Sequence, residues 1–246
     1  MEVEIFRDVT PRLPEPVLEA IAVYAAKATW PAGFTVYQRG ASADGVFVVL
    51  RGRVVLRSRV KAGRGFVPAV ATAGETFGAE GLAPNGRYAT DARADEETET
   101  LHLSGPRMRA FLREQPQHAI QLVGQVMAQH AALLEKLREL ATLSVEQRLV
   151  AALARMAQHH GFLESDGRIT LDAARYRLLC EMVGATRESV SLVLNRLVGE
   201  GLAERQGTAF VVAPAGTLLE RAAPAWRDAE VGLLVATESS GRQAEA

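Results

Sequence analysis

The sequence predicts an α+β protein with a β-roll, a long dimerisation helix and a C-terminal winged helix-turn-helix domain. Three observations support this fold class. Short β-rich runs alternate with glycines from residue 29 to 103, apolar residues recur at helical spacing from 117 to 143, and two short amphipathic helices flank a glycine within 180–197. We expect domains at 1–116, 117–143 and 144–213, and an extension at 214–246 whose end is disordered.

The overall composition restricts the class of protein but does not indicate a partner. The chain has 246 residues, with 28 Lys and Arg against 29 Asp and Glu, so net charge gives no sign of nucleic-acid binding. The single cysteine, Cys180, excludes a disulfide framework within the chain. No apolar run is long enough to cross a bilayer, and residues 1–5 do not resemble a signal peptide. We therefore expect a soluble cytoplasmic protein without a membrane segment.

The N-terminal half is predicted to begin with a helix over Glu15–Ala26 and to continue as short strands. The predicted strands are Thr35–Tyr37, Gly45–Leu50, Arg53–Arg57, Phe66–Ala71 and Thr98–Leu103. Many short strands with regular turns indicate a sandwich or closed β-roll. A β-roll metalloenzyme shares this pattern but needs several inward histidine and carboxylate ligands, and this region holds one histidine, His102. We expect no metal site and no enzyme.

A long helix is predicted from Gln117 to about Leu143. Six residues along it alternate at spacings of three and four, as in the seam of a coiled coil: Val123, Val126, His130, Leu133, Leu137 and Leu140. Because such a helix offers more apolar surface than one small β-roll covers, we expect two chains to pair along it. Packing on its own domain alone is the alternative. Another helix is expected over Ser144–His160, and the hinge between domains near 141–144.

The C-terminal domain is organised around a predicted helix, turn and second helix. Gly184 supplies the permissive backbone of the turn, and Thr186 can cap the second helix through its hydroxyl. One face of that helix is apolar, with Val190, Val193, Leu194 and Leu197, and the other carries Arg187, Glu188, Ser191 and Asn195. Residues 201–212 predict two strands joined at Gln206–Gly207, which is typical of a wing. DNA-reading helix-turn-helix units have this arrangement.

These segments resemble a known family. Val183–Val190 and Asn195–Leu197 resemble the recognition segment of the cyclic-AMP receptor protein and FNR (CRP/FNR) family of bacterial transcription regulators, and the spacing of Gln38–Gly40, Val46–Gly52 and Gly74–Gly78 resembles its cyclic-nucleotide-binding domain. The resemblance covers roughly residues 17 to 212. It implies a homodimeric, sequence-specific regulator that reads an inverted repeat in double-stranded DNA. RNA polymerase is a further candidate partner.

The resemblance also assigns contacts at the start of the recognition helix. Arg187 and Glu188 match the family's leading base-reading pair, in which a guanidinium bonds guanine and a carboxylate accepts from cytosine. Leu192 stands where the family has a second reading arginine, so the preferred half-site should differ there; leucine cannot donate a hydrogen bond but can touch a thymine methyl. The expected DNA contacts are Thr186, Arg187, Glu188, Ser189, Ser191, Leu192 and Arg196.

The expected effector region departs from the family's cyclic-AMP cassette. That cassette places Gly-Glu on the ribose and Arg-Ser on the cyclic phosphate, whereas the matching positions here are Gly78-Ala79 and Arg87-Tyr88. The hydroxyl pair that meets the adenine is replaced by Leu133-Leu134, which would leave the exocyclic amine of the base without a partner. We expect no cofactor and no control by cyclic AMP in the familiar mode. Control by a cyclic nucleotide or another small molecule is the alternative.

Overall fold

The computed structural model describes residues 10–59, 65–158 and 162–213, together with residue 217. The chain divides into two compact units, one within residues 4–141 and the other within residues 142–246. The helices and strands confirm the α+β fold class. The predicted disorder at the end of the 214–246 extension lies outside the described residues.

The N-terminal unit consists mostly of short strands. It begins with α1 (Glu15–Ala22), followed by β1 (Ala26–Trp30), β2 (Thr35–Tyr37), β3 (Gly45–Arg51), β4 (Arg53–Arg59), β5 (Gly65–Thr72), β6 (Thr76–Phe77), β7 (Asp91–Ala94) and β8 (Thr98–Ser104). A 3-10 helix, Ala79–Leu82, lies between β6 and β7, and α2 (Gly105–Glu114) and α3 (Pro116–Thr142) complete the unit.

Two antiparallel sheets enclose one hydrophobic core of this unit. Their strand orders are β1-β8-β3-β6 and β2-β7-β4-β5. Because successive side chains point to opposite faces of a strand, β3 contributes residues to two hydrophobic cores. Phe47 and Val49 pack between the sheets, whereas Val46 and Val48 pack on the opposite side with residues of α1, α2 and α3. The helices therefore cover the outer face of one sheet.

Three strands differ from the sequence prediction. The predicted helix over Glu15–Ala26 is wrong at its end, because α1 stops at Ala22 and Ala26 already begins β1, which pairs with β8. Strands β6 and β7 were not predicted at all. The sequence of β7, Asp91–Ala94, has no β-branched or aromatic residue, and its extended form comes from pairing with β2 and β4.

Two glutamine side chains hold α3 to the edge of β6. Buried Gln125 accepts a hydrogen bond from the Thr76 N–H at 2.8 Å and donates to the carbonyl oxygens of Pro11 and Gly74 at 2.7 and 2.8 Å. Gln129 donates to the Thr76 carbonyl oxygen at 2.7 Å and accepts from its hydroxyl at 3.2 Å. Because β6 pairs with β3 on one side only, the glutamines satisfy the backbone of its other edge.

An exposed apolar row runs along α3. Ile120, Val123, Met127, Leu134 and Leu137 are between 42% and 68% exposed, and exposed His130 lies in the same row. The spacing of the six residues alternates between three and four. The row shares Val123, His130 and Leu137 with the predicted seam, whereas Val126 and Leu140 of that seam are half-buried and Leu133 is exposed beside the row. The exposed row is therefore rotated slightly from the predicted seam.

The C-terminal unit contains α4 (Val145–Gln158), β9 (Ile169–Leu171), α5 (Ala173–Val183), α6 (Arg187–Gly199), β10 (Ala203–Gln206) and β11 (Ala209–Val212). The three strands form one antiparallel sheet in the order β10-β11-β9. The predicted turn at Gln206–Gly207 is present, and Gly207 has a φ of 60°, which favours glycine. Buried Leu149, Leu153 and Leu179 pack among the helices of this unit. In the described ranges, no helix is both long and apolar enough to cross a membrane.

Candidate nucleic-acid interface and effector region

Helix α5, the first helix of the helix-turn-helix, is capped at both ends. Asp172 caps α5, since its carboxylate accepts hydrogen bonds from the N–H groups of Ala174 and Arg175 at 2.9 and 2.8 Å. Gly184 ends the helix with φ 65° and ψ 36°, and its N–H bonds the Cys180 carbonyl oxygen at 3.0 Å. The left-handed glycine thereby turns the chain into α6.

The first turn of α6 is held by side chains on both sides of the turn. The Thr186 hydroxyl accepts from the Ser189 N–H at 3.2 Å, as predicted for a capping residue. The Tyr176 hydroxyl of α5 donates to the Arg187 carbonyl oxygen at 2.9 Å. Hydrogen bonds from its own N–H and from the Thr186 side chain lower the pKa of exposed Glu188. The tip of α6 therefore presents a carboxylate next to a guanidinium.

The two faces of α6 differ as the sequence predicts. The four residues of its predicted apolar face are all buried: Val190, Val193, Leu194 and Leu197. Arg187, Glu188, Leu192, Asn195 and Arg196 are exposed, as is Thr186, while Ser189 and Ser191 are half-buried. Seven side chains predicted to contact DNA thus lie on or beside the outer face of one capped helix.

Several cations near this helix have partners within the C-terminal unit. Arg196 lies 2.6 Å from the Glu146 carboxylate, so its charge is paired on the side facing α4. Arg175 donates to the Thr170 carbonyl oxygen at 3.1 Å, and Arg205 of the wing lies over the Phe210 ring at 5.2 Å. Neither Tyr176 nor Glu146 was recognised in the sequence as a residue that supports α6, because nothing in the local pattern reveals these contacts.

The interior of the β-roll is filled by aromatic rings near the predicted effector residues. Tyr88 is only 3% exposed and stacks on Tyr37, with 3.6 Å between ring centroids. Its hydroxyl donates to the Asp44 carboxylate at 3.0 Å, and burial raises the pKa of this phenol. Phe47 and Phe77 stack on each other in the same core, 5.0 Å apart.

Gly78 lies directly against these rings. Its φ of 73° favours glycine, and a Cβ at this position would lie 3.1 Å from the Tyr88 ring and 3.2 Å from the Tyr37 ring. Close approach of the backbone to the aromatic cluster therefore depends on the absence of a side chain at residue 78.

The other predicted effector residues lie elsewhere on the N-terminal unit. Arg87 is exposed and donates to the Gly40 carbonyl oxygen at 2.8 Å, and Ala79 begins the 3-10 helix. Leu133 and Leu134 are exposed on α3. Of the six predicted residues, Gly78 and Tyr88 lie at the aromatic core. Nowhere in the described part of the chain do three His, Cys, Asp or Glu side chains form a group that could hold a metal ion.

Comparisons with protein families match both units. Residues 27–115 match the cyclic nucleotide-binding domain family, and residues 147–221 match the Crp-like helix-turn-helix domain family. Among curated proteins, the CRP-like cAMP-activated global transcriptional regulator of Mycobacterium tuberculosis is 23% identical over 194 residues, which are 78% of this chain and 86% of that protein. The cAMP-activated global transcriptional regulator CRP of Haemophilus influenzae is 23% identical over 199 residues, covering 80% and 88% of the two chains.

Solved structures share the fold. The c-di-GMP responsive global regulator CLP of Xanthomonas campestris superposes with a TM-score of 0.70 at 20% identity, covering 81% of this chain and 99% of its own. FixK2 of Bradyrhizobium japonicum superposes with a TM-score of 0.65 at 20% identity, covering 80% and 96%. With both domain matches in their expected order, the chain belongs to the CRP/FNR family of DNA-binding transcription regulators.

Proposed function

We propose that the protein is a homodimeric, sequence-specific transcription regulator that binds an inverted repeat in DNA and does not require cyclic AMP. The observation that carries the proposal is α6 itself. Its buried face, its Thr186 cap and the Tyr176 hydrogen bond fix the helix, so that Arg187 and Glu188 project at its exposed start. In helix-turn-helix proteins, this end of the second helix contacts base edges in the major groove.

The exposed row on α3 supports pairing of two chains. At 1.5 Å per residue, 27 residues extend for about 40 Å, and the six positions of the row follow coiled-coil spacing along much of this length. Exposed apolar rows of this kind mark protein interfaces. A two-fold dimer would present two recognition helices about 34 Å apart, one turn of the duplex. The target is then an inverted repeat, since its symmetry must match that of the dimer.

The aromatic core supports independence from cyclic AMP. The curated relatives are named as cAMP-activated. In this chain, Ala79 stands at the position where the family has the carboxylate that binds the ribose. Tyr88, in the place of the phosphate-binding serine, is buried in the stack with Tyr37. Its hydroxyl already donates a hydrogen bond to the Asp44 carboxylate, so residue 88 does not offer the free serine hydroxyl that binds the cyclic phosphate in the family. The DNA-binding form therefore needs no cyclic AMP. Such a regulator would act in the cytoplasm, where it would contact RNA polymerase at the promoters that it controls.

Selection of bound sites from random duplexes tests the proposal directly. The full chain should enrich an inverted repeat equally well with and without cyclic AMP. Arg187→Ala should lose roughly 1–3 kcal/mol and relax the preference at one base position, because a good bidentate pair contributes about that much discrimination. Arg113→Ala, at an exposed arginine of α2, is the control for charge alone. Failure to enrich any sequence would overturn the proposal.

Control by a cyclic nucleotide is the second candidate, favoured by the match of residues 27–115 to the cyclic nucleotide-binding domain family. The c-di-GMP response named for the Xanthomonas structure adds a further nucleotide to consider. Calorimetry of the full chain with cyclic AMP, cyclic GMP and cyclic di-GMP separates the two candidates. Saturable heat with any of them, together with tighter DNA binding, would favour nucleotide control.

A further inference from the structure

Leu192 is a large apolar side chain at the centre of the outer face of α6. It is 72% exposed, whereas the apolar residues that pack α6 into its domain are all buried. Glu188 lies one turn before it and Asn195 one turn after it on the same face, and both are exposed. Single exposed leucines are common on protein surfaces. This one lies in the middle of the surface that the proposed function places in the major groove.

We propose that Leu192 selects a thymine in each half-site by packing on its C5-methyl group, an inference that rests on the proposed function. Leucine can neither donate nor accept a hydrogen bond, so it cannot read the polar atoms of base edges. In the major groove, the thymine methyl is the apolar group that distinguishes one base from the others. Contact with it removes apolar surface from water on both sides.

The position of Leu192 on α6 restricts where this thymine lies. Glu188 and Leu192 are four residues apart, which is about 6 Å along the helix axis. Base pairs in a duplex are about 3.4 Å apart. The thymine should therefore lie one or two base pairs from the pair that Glu188 contacts, on the side reached by the later part of α6. This register separates the methyl contact from the hydrogen bonds made at the helix tip.

Uracil substitution isolates the methyl group, because deoxyuridine differs from thymidine only at C5. Each thymine of the selected half-site would be replaced singly, and binding of the full chain measured by fluorescence anisotropy. At one thymine, loss of the methyl should weaken binding about fourfold per half-site. This is the change in binding constant expected when one buried methyl-sized group is removed. At that position 5-methylcytosine should bind better than cytosine by a similar factor, since it carries the methyl at the same place.

Protein variants assign the effect to Leu192. Leu192→Ala should weaken binding to the thymine site and should no longer distinguish thymine from uracil there. Arg187→Ala should bind more weakly overall but keep the thymine preference, which makes it the matched control on the same helix. Because Leu192 is exposed, Leu192→Ala should unfold at the same temperature as the original protein.

Two failures have different meanings. Specific binding in which every uracil effect persists unchanged in Leu192→Ala would overturn the methyl contact and leave the proposed function intact. Absence of any sequence preference in the full chain would overturn the proposed function, and the role of Leu192 with it. If Leu192→Ala abolishes the effect of uracil at one position, the methyl contact and the proposed function are both supported.

Discussion

The Tyr88 ring lies parallel to the Tyr37 ring, with 3.6 Å between the centroids and 8° between the planes. Tyr37 belongs to β2, and Tyr88 precedes β7 in the same sheet. The Tyr88 hydroxyl is bonded to Asp44 at 3.0 Å, so this side chain is held at both its apolar and its polar end. The residue that the resemblance aligns with the phosphate-binding serine is thus part of the core.

Tyr88→Ser should lower the free energy of unfolding by about 3 kcal/mol, because it removes a buried ring and leaves a cavity. Tyr88→Phe keeps the stack and loses the hydrogen bonds of the hydroxyl to the Asp44 carboxylate and, more weakly, to the Gly45 carbonyl oxygen, which should cost about 1 kcal/mol. Arg87→Ala, at the exposed neighbouring residue, should change stability by less than about 0.5 kcal/mol. Urea denaturation of the three variants measures these differences. Equal stability of Tyr88→Ser and the original chain would contradict the packing role.

Gln125→Ala should also be strongly destabilising. It leaves the Thr76 N–H and the Pro11 carbonyl oxygen without the bonds that buried Gln125 supplies, and each unsatisfied buried group costs about 1–3 kcal/mol. Gln121→Ala, at an exposed glutamine on the same helix, is the matched control and should be close to neutral. Denaturant unfolding compares the two. A loss as large for Gln121→Ala would show that the contact with β6 is not responsible, since alanine itself favours the helix at least as well as glutamine.

Charges placed in the exposed row of α3 should separate the proposed dimer. In the double variant Met127→Glu with Leu134→Glu, each chain would bury uncompensated carboxylates against its partner. Because an unpaired buried charge costs several kcal/mol, the dissociation constant should rise roughly a hundredfold. Gln121→Glu places the same charge on a different exposed face of α3 and should leave the dimer intact. Sedimentation velocity measures the association state of both variants. A double variant that remains dimeric would show that the interface does not include this row.

The Cys180 thiol should react slowly with alkylating reagents. Burial raises the pKa of this thiol, so a smaller fraction is thiolate at any pH near neutrality than in an unfolded chain. Iodoacetamide labelling at pH 7.5, followed by mass spectrometry, should be slow in buffer and fast in urea. Because Cys180 is the only cysteine, the unfolded chain is its own control. Equally fast labelling of the folded protein would contradict the burial of α5 on this side.

The helix-turn-helix could be predicted from the sequence because its signals are local. A glycine at residue 184, a threonine three residues later than Val183 and an apolar face of four residues each depend on near neighbours in the chain. The β7 strand could not be predicted, because its extended backbone is imposed by pairing with β2 and β4 rather than by its own residues.

The orientation of α3 and the packing of the predicted effector residues could not be predicted from the sequence either. Apolar spacing alone does not show that Gln125 and Gln129 hold the helix to Thr76, and these polar contacts decide which row remains exposed. Likewise, a tyrosine at residue 88 indicates only that a serine is missing. That its ring enters the core depends on Tyr37, fifty-one positions earlier in the chain, which no local pattern connects to it.

The buried stack also restricts how this domain can change during evolution. A serine at residue 88 alone would empty the space of a ring and remove the hydroxyl that donates to Asp44, while a carboxylate at residue 79 alone would gain no ligand. Each single step toward a nucleotide site therefore carries a loss of stability or no benefit. The stack of Tyr37 on Tyr88 therefore opposes the stepwise gain of a nucleotide site in this domain.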